Sequence, residues 1–338
     1  MSTVLPASSP YLDSDLIFGP GGTIAKLLPS YEVRPQQLEM SRAVADAIEH
    51  GHHLVVEAGT GVGKSFAYLV PAIQAAVARG LKVVVSTHTI SLQEQLIQKD
   101  LPFLQLVMPK PFSAVLVKGR GNYISLRRLE NAVGDCNDLF SGEKGRGSQL
   151  ERISSWSKDT TDGSRSDLDF VPSTPVWSEV ESTAGDCLGK HCPHRGSCFY
   201  FAARQRMLGA QVLVVNHALY MTDLMLRRRG AGFLPDHDVV IFDEAHALEA
   251  VAGDHLGSSV SSSQLQWNLR RLWNDRTEKG LATRAETFLG PAWGRETCKL
   301  VEAAWLAANE FFGAVQEDMG EKVSTRRYKE PTHIPCMR

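Results

Sequence analysis

The chain has 338 residues, enough for a large core and two domains. Its 43% hydrophobic and 22% charged content is that of an ordinary soluble globular protein, and a net charge of −2 excludes a global basic field, so any DNA affinity must come from local patches. No apolar run approaches the roughly 18 residues of a membrane span, and six cysteines without a secretory leader argue for the reducing cytoplasm.

Residues 1–30 read as a loose tail that closes on Leu16-Ile17-Phe18 and the turn Gly19-Pro20-Gly21-Gly22. Arg34-Pro35-Gln36-Gln37 opens a helix to about His50, with Leu38, Val44, Ala45 and Ile48 as its buried stripe. An amide such as that of Gln37 pairs bidentately with an adenine edge; read alone, without the loop that follows, an exposed glutamine at a helix start is the favoured reading.

The stretch Glu57-Ala58-Gly59-Thr60-Gly61-Val62-Gly63-Lys64-Ser65 organises the chain. It follows Leu54-Val55-Val56, read as a strand, and precedes an Ala/Leu-rich helix ending near Arg79. That is the strand, Gly-rich loop and helix of a phosphate-binding loop. The glycines let successive N–H groups point at one phosphate, and the helix opening at Lys64 adds its positive end. Lys64 is placed to reach the β- and γ-phosphates of ATP and Ser65 to hold Mg²⁺. Ala58 stands where the strict pattern has its first glycine, a departure common among helicase-type motors.

Leu81–Thr87 reads as a buried strand leading through His88-Thr89 into a helix over 91–100. Thr87 and Thr89 suit contacts to a nucleic-acid backbone, and helix capping by Thr89 or Ser91 is the local alternative. Ala114–Val117 is a further strand, ending in Lys118-Gly119-Arg120-Gly121-Asn122-Tyr123. Lys118 and Arg120 are candidate phosphate contacts, or the cations of a solvated turn. Residues 134–186, rich in Ser, Gly, Asp and Thr, predict an insert with little packed core. Cys187-x4-Cys192-x5-Cys198 follows, with His191 and His194 inside; this clustering points to metal chemistry rather than disulfides.

Val212–Val215 is a strand that ends in Asn216-His217, and Asp238–Phe242 a fifth strand that ends in Asp243-Glu244-Ala245-His246. An apolar strand delivering two carboxylates is the second nucleotide element. Asp243 joins Ser65 on Mg²⁺, Glu244 polarises the attacking water as general base, and His246 senses the γ-phosphate. Beyond Ala247 the chain turns helical. Leu265, Leu269, Leu272 and Trp273, capped by Ser263, form one stripe, and Leu300, Ala304, Ala308, Phe311 and Val315 another. The fold class is α/β, a mostly parallel RecA-like P-loop sheet with helices on both faces, interrupted by a cysteine-bearing insert and followed by a helical segment.

With these residues in order, the chain resembles the DinG/XPD branch of superfamily 2 DNA helicases, in particular its bacterial DinG-like members. The resemblance rests on Arg34-x2-Gln37, Ala58–Ser65, Ser86–Thr89, Lys118–Tyr123, the cysteine spacing, Asn216-His217 and Asp243–His246, from about Ile17 to Leu248. It implies an ATP-driven 5′→3′ helicase acting on single-stranded DNA and DNA junctions. It divides the chain into a tail (1–30), a first motor domain in two parts (31–118 and 210–248), an iron–sulfur-type insert (119–209) and an incomplete helical arch (249–338).

Two departures qualify this. The family's cluster uses four cysteines, the first just after an Asn-Tyr pair; here Ser125 holds that position, leaving Cys187, Cys192 and Cys198. A [4Fe–4S] cluster takes four thiolates as a rule. Completion by Ser125 or Cys136, a three-iron cluster, zinc with a histidine, and metal-free thiols all stay open. Second, the family's second motor domain is not seen after His246, so the chain reads as the N-terminal part of a helicase or half of a split motor. A non-catalytic module binding nucleotide and single strand, and an iron–sulfur redox sensor, are the rival readings.

Overall fold

The computed structural model describes residues 14–319 except Pro29, Thr60, 137–144, 257–259, Thr277 and Lys279. The tail before Ser14 and the stretch beyond Met319 lie outside the described residues. The chain divides into two compact units, Met1–Leu256 and Gly257–Arg338.

The first unit is built on a four-stranded parallel sheet: β1 (Val83–Thr87), β2 (Ala114–Leu116), β3 (Val212–Asn216) and β4 (Val239–Phe242), in spatial order β2-β3-β1-β4. Val83 pairs with Val212 on one side and Val239 on the other, so β1 is central. Its five residues are all buried, as a parallel strand covered on both faces requires. One face packs on Ile17, Phe18, Ile24, Leu69, Ile73 and Leu104. The other packs on Met207, Ala210, Tyr220 and Leu234.

Two expectations are corrected here. Leu54-Val55-Val56 has no regular secondary structure and lies outside the described sheet, so the described strands number four and not five. Val55 is 96% exposed. With neither a ladder nor a covered face, its β-branched side chains have nothing to stabilise a strand. The insert also has a core of its own: Ile124, Leu129, Leu150, Ile153, Val176, Trp177 and Val180 form a separate buried cluster. Its apolar residues are few but, Ile124 apart, lie on three helices, Leu126–Cys136, Arg146–Asp159 and Thr174–Val180, that bring them together.

The helix Pro35–His50 buries Gln37, Ser41, Val44 and Ala47, a stripe that includes polar residues and leaves Ala45 only half-buried. In the second unit, Ser261 and not Ser263 caps the helix Ser262–Leu272. The helix Pro291–Met319 buries Val301 and leaves Leu300 exposed, one position off the expected stripe. Arg270 lies 5.3 Å from the Trp305 ring centroid, on the face that Val301 shares at i+4.

Candidate functional site

The helix Lys64–Arg79 begins directly after Gly63, which sits at φ 84°, a left-handed conformation open to glycine at no steric cost. A Cβ there would lie 2.2 Å from Gln37 Nε2, so the close approach also demands glycine. Gln37 is buried and used at both ends. Its Nε2 donates to Gly63 O at 3.0 Å and its Oε1 accepts from Tyr31 Oη at 2.9 Å. Arg34 donates to Gly61 O at 2.6 Å. Arg34 and Gln37 therefore clamp the loop of Ala58, Gly59, Gly61, Val62 and Gly63 from behind. Thr60, also expected in this loop, lies outside the described residues.

The carboxylates arrive from β4. Lys64 Nζ donates to Ala58 O at 3.3 Å and lies 3.7 Å from Glu244 Oε1. Both side chains of that pair are about a third exposed, so it is worth about 0–1 kcal/mol. Tyr68 Oη, four residues on from Lys64 and so on the same helix face, donates to Asp243 Oδ2 at 3.2 Å. Burial, reinforced by the Glu244 charge, raises the Asp243 carboxyl above its ordinary pKa. A π-helical turn, Leu96–Asp100, brings in a third carboxylate beside Ser65: Asp100 accepts from Gln95 Nε2 at 3.4 Å, and its pKa is raised, chiefly by burial. A site with the Ser65 hydroxyl and partly buried carboxylates at the positive end of a helix fits a Mg²⁺-bound polyphosphate.

The turn after β4 is strained. Glu244 has φ 55°, one of two non-glycine residues with positive φ among those described, at a cost on the order of 1–3 kcal/mol. Asp243 N–H donates to Ser86 O at 2.8 Å and Glu244 N–H to Asp243 Oδ1 at 3.1 Å. His246 Nδ1 is 3.3 Å from Glu244 Oε2, and its side chain is exposed. Beneath this turn lies His217, 1% exposed, with Nδ1 2.7 Å from Ser86 Oγ. Its Nε2 has no hydrogen-bond partner, which costs about 1–3 kcal/mol for a buried polar atom. Burial lowers its pKa and favours the neutral ring.

The candidate DNA contacts are not equivalent. Thr87 is buried and gives its hydroxyl to Thr89 O at 3.4 Å. Thr89 is exposed, and its own hydroxyl caps the next helix by accepting from Leu92 N at 3.2 Å. Lys118 Nζ binds Asp162, Ser164 and Ser166 at 3.1, 2.7 and 2.9 Å, fastening the end of β2 to the insert. Arg120 donates to Ser182 Oγ at 3.0 Å and stacks 4.5 Å from the Tyr200 ring centroid.

Ser125, Cys187, Cys192 and Cys198 line one cavity of about 270 Å³, rimmed by Arg120 and Arg128. Among the described residues, however, no group of three or more Cys, His, Asp or Glu is close enough to hold a metal ion. As arranged, these donors do not fit a cluster, and His194 is engaged with Glu130 at 2.8 Å. The Cys136 side chain lies outside the described residues. The Cys187 thiol is lowered in pKa, first by the Gly189 main chain and then by Arg120.

Sequence reasoning missed Tyr68, Asp100, Ser86 and a role for His217. The spacing of Tyr68 from Lys64 was the available signal; nothing local marks Asp100, since a π-turn has no sequence signature at this length.

Comparison with known proteins gives the family of the chain. The DEAD/DEAH box helicase family matches residues 38–155 and the DEAD_2 family residues 179–265. The chain is 41% identical over 250 residues to the ATP-dependent DNA helicase YoaA of Escherichia coli, covering 73% of this chain and 38% of that protein. It is 39% identical over 256 residues to the ATP-dependent helicase DinG of Mycobacterium tuberculosis, covering 71% of this chain and 38% of that protein. A solved XPD helicase superposes on 77% of this chain and 40% of its own, at 14% identity and a TM-score of 0.41. The chain thus spans well under half the length of these relatives. Among the described residues no helix is long and apolar enough to cross a membrane. The cleft and the sequence matches together make this chain a member of the DinG/XPD-type helicase family.

Proposed function

We propose that this chain carries one wall of the ATP site of a 5′→3′ DNA helicase, in which hydrolysis drives movement along single-stranded DNA. The observation that carries the reading is convergence: Lys64, from the phosphate loop, lies 3.7 Å from Glu244, and Tyr68 binds Asp243, 175 residues away. Backbone N–H groups of 58–63 would cradle the phosphates and Lys64 would leave Ala58 O for them. Ser65 and Asp243 would hold Mg²⁺, which supplies charge neutralisation when bound. Glu244 would take the proton of the attacking water, and His246 would report the phosphate. Thr89, with Lys118 and Arg120 once freed from their present partners, would meet the strand.

A second motor domain, in the same or a separate polypeptide, would close the site and supply an arginine worth about 10³–10⁵ in rate. Family likeness alone would add an iron–sulfur group at Cys187, Cys192 and Cys198. Their common cavity favours it; their present arrangement, and the absence of a fourth thiolate lining that cavity among the described residues, oppose it. The second reading is a nucleotide- and strand-binding part without its own turnover.

The test is ATP turnover by the full-length gene product with and without single-stranded DNA. The motor reading expects a strand-dependent rise that Lys64→Ala abolishes. Turnover that ignores DNA, or that survives Lys64→Ala, sinks it.

A further inference from the structure

Among the described residues, His217 is the one buried imidazole that the hydrolysis chemistry above leaves without a task. It opens the helix His217–Arg228, which is capped by Asn216 Oδ1 accepting from Leu219 N at 2.7 Å. Its ring lies between His88, centroid 6.0 Å away, and Phe242, centroid 6.1 Å away. It therefore touches both strand ends that matter: Ser86 of β1, just before Thr87–Thr89, and the turn after β4.

The Ser86 contact alone is compatible with either tautomer of the ring, and the polar groups of the neighbouring turn point to one of them. Asp243 N–H is committed to Ser86 O and Glu244 N–H to Asp243 Oδ1. What the turn still offers the ring is carbonyl oxygen, an acceptor. The Glu244 and Asp243 carbonyls lie close enough to influence the ring, but neither completes a hydrogen bond with Nε2. Glu244 O already accepts from Ala247 N at 3.1 Å and keeps a second lone pair. A donor at Nε2 then requires that Ser86 Oγ donate to Nδ1.

Resting on the hydrolysis reading above, we propose that His217 is a positioning residue that couples nucleotide to DNA. Ser86 holds Nδ1 as an acceptor, and the protonated Nε2 donates to the Glu244 carbonyl when the left-handed turn at Glu244 relaxes on nucleotide. The unpartnered Nε2 and the strained turn are two halves of one unmade contact. Making it draws the catalytic turn toward Ser86 and so shifts the adjacent Thr87–Thr89 end of β1. By linkage the effect is reciprocal: strand bound at that end favours the same turn.

The test uses the full-length protein and reads coupling, not activity alone. Measured are the ratio of strand-stimulated to basal ATP turnover, and the Kd for a single-stranded oligonucleotide with and without a non-hydrolysable ATP analogue. His217→Phe keeps the ring volume and removes both nitrogens; both ratios are expected to fall about fivefold or more. His217→Gln keeps a donor near the Nε2 position and is expected to recover part of the loss. Ratios unchanged in His217→Phe overturn the inference while leaving the motor reading intact; a native protein without strand-stimulated turnover overturns both. Because the phenylalanine variant must fold to be informative, a second measurement uses the native protein. Long-range ¹H–¹⁵N correlation of the His217 ring is expected to show the proton on Nε2. A proton on Nδ1 overturns the proposal.

Discussion

The nucleotide cleft and the cysteine cavity were both legible as spacings, and the fold treats them differently. In the cleft, Lys64 and Ser65 open a long helix and Asp243 and Glu244 end a strand. β4 pairs directly with the central β1, so the sheet itself delivers the two motifs to one place. In the cavity, the three cysteines sit on or beside single 3₁₀ turns, Gly189–His191 and Arg195–Ser197, and share a wall without forming a metal-holding set. A motif carried by regular elements inherits their register; one carried by loops inherits only a neighbourhood.

The largest effect that sharpens this contrast is in the cleft. Glu244→Gln should lower strand-stimulated ATP turnover by about 10²–10⁴ while nucleotide binding persists, since the amide keeps the shape and loses the base. A fluorescent-nucleotide titration beside a phosphate-release assay checks it. A variant that turns over at the native rate would mean that convergence of the motifs does not make Glu244 the base.

Next in size is the insert, where the sequence was least informative. Residues 134–186 read as coreless because apolar residues are sparse, yet Ile153 and Val180 are fully buried. Sparse residues suffice when three short helices gather them, and composition is blind to that gathering. Ile153→Ala should cost about 2–5 kcal/mol as a buried aliphatic truncation. Chemical denaturation of native and variant protein measures it; a loss under about 1 kcal/mol, far below that range, would return the insert to a loose loop.

The sheet was legible because Val83–Val85 and Val212–Val215 are unbroken β-branched or aliphatic runs with no polar face. The same rule misplaced Leu54-Val55-Val56: an apolar triplet states a preference for burial, and burial also needs a partner edge. Tyr68 was within reach of helical spacing, whereas Asp100 and the unpartnered Nε2 of His217 depend on tertiary placement alone.

The cavity gives a smaller effect. Arg120 and the Gly189 main chain favour the Cys187 thiolate, whereas burial, then Glu286 and Glu302, raise Cys298. Cys187 should therefore alkylate with iodoacetamide at a lower pH than Cys298, as peptide mass spectrometry of a pH series reads out. Supplying the fourth thiolate by Ser125→Cys should raise the iron bound per chain after anaerobic reconstitution. Equal iron in both proteins would show that the obstacle is the shape of the cavity and not the missing ligand.

The smallest effect tests how the two regions are joined. Lys118, at the end of β2, reaches Asp162 of the insert, which Arg206 also binds at 3.1 Å. Burial pushes the Asp162 carboxyl up, but hydrogen bonds from Ser164 and Lys118, with the Lys118 and Arg206 charges, outweigh it and hold the pKa below 3.8. A carboxyl depressed on folding stabilises above its unfolded pKa and loses that contribution as pH falls through the folded one. Asp162 is more than a third exposed, so solvent screening limits the gain to about 1 kcal/mol. Asp162→Asn should therefore be slightly less stable than the native protein at pH 7. The gap should close as pH drops below the ordinary carboxylate range, and shrink in high salt. Urea midpoints at several pH values follow it. A gap that stays constant as pH falls well below the ordinary carboxylate range, until the carboxyl is protonated in folded and unfolded chains alike, would assign the junction to the neutral hydrogen bonds of Ser164 and Ser166 instead of to charge.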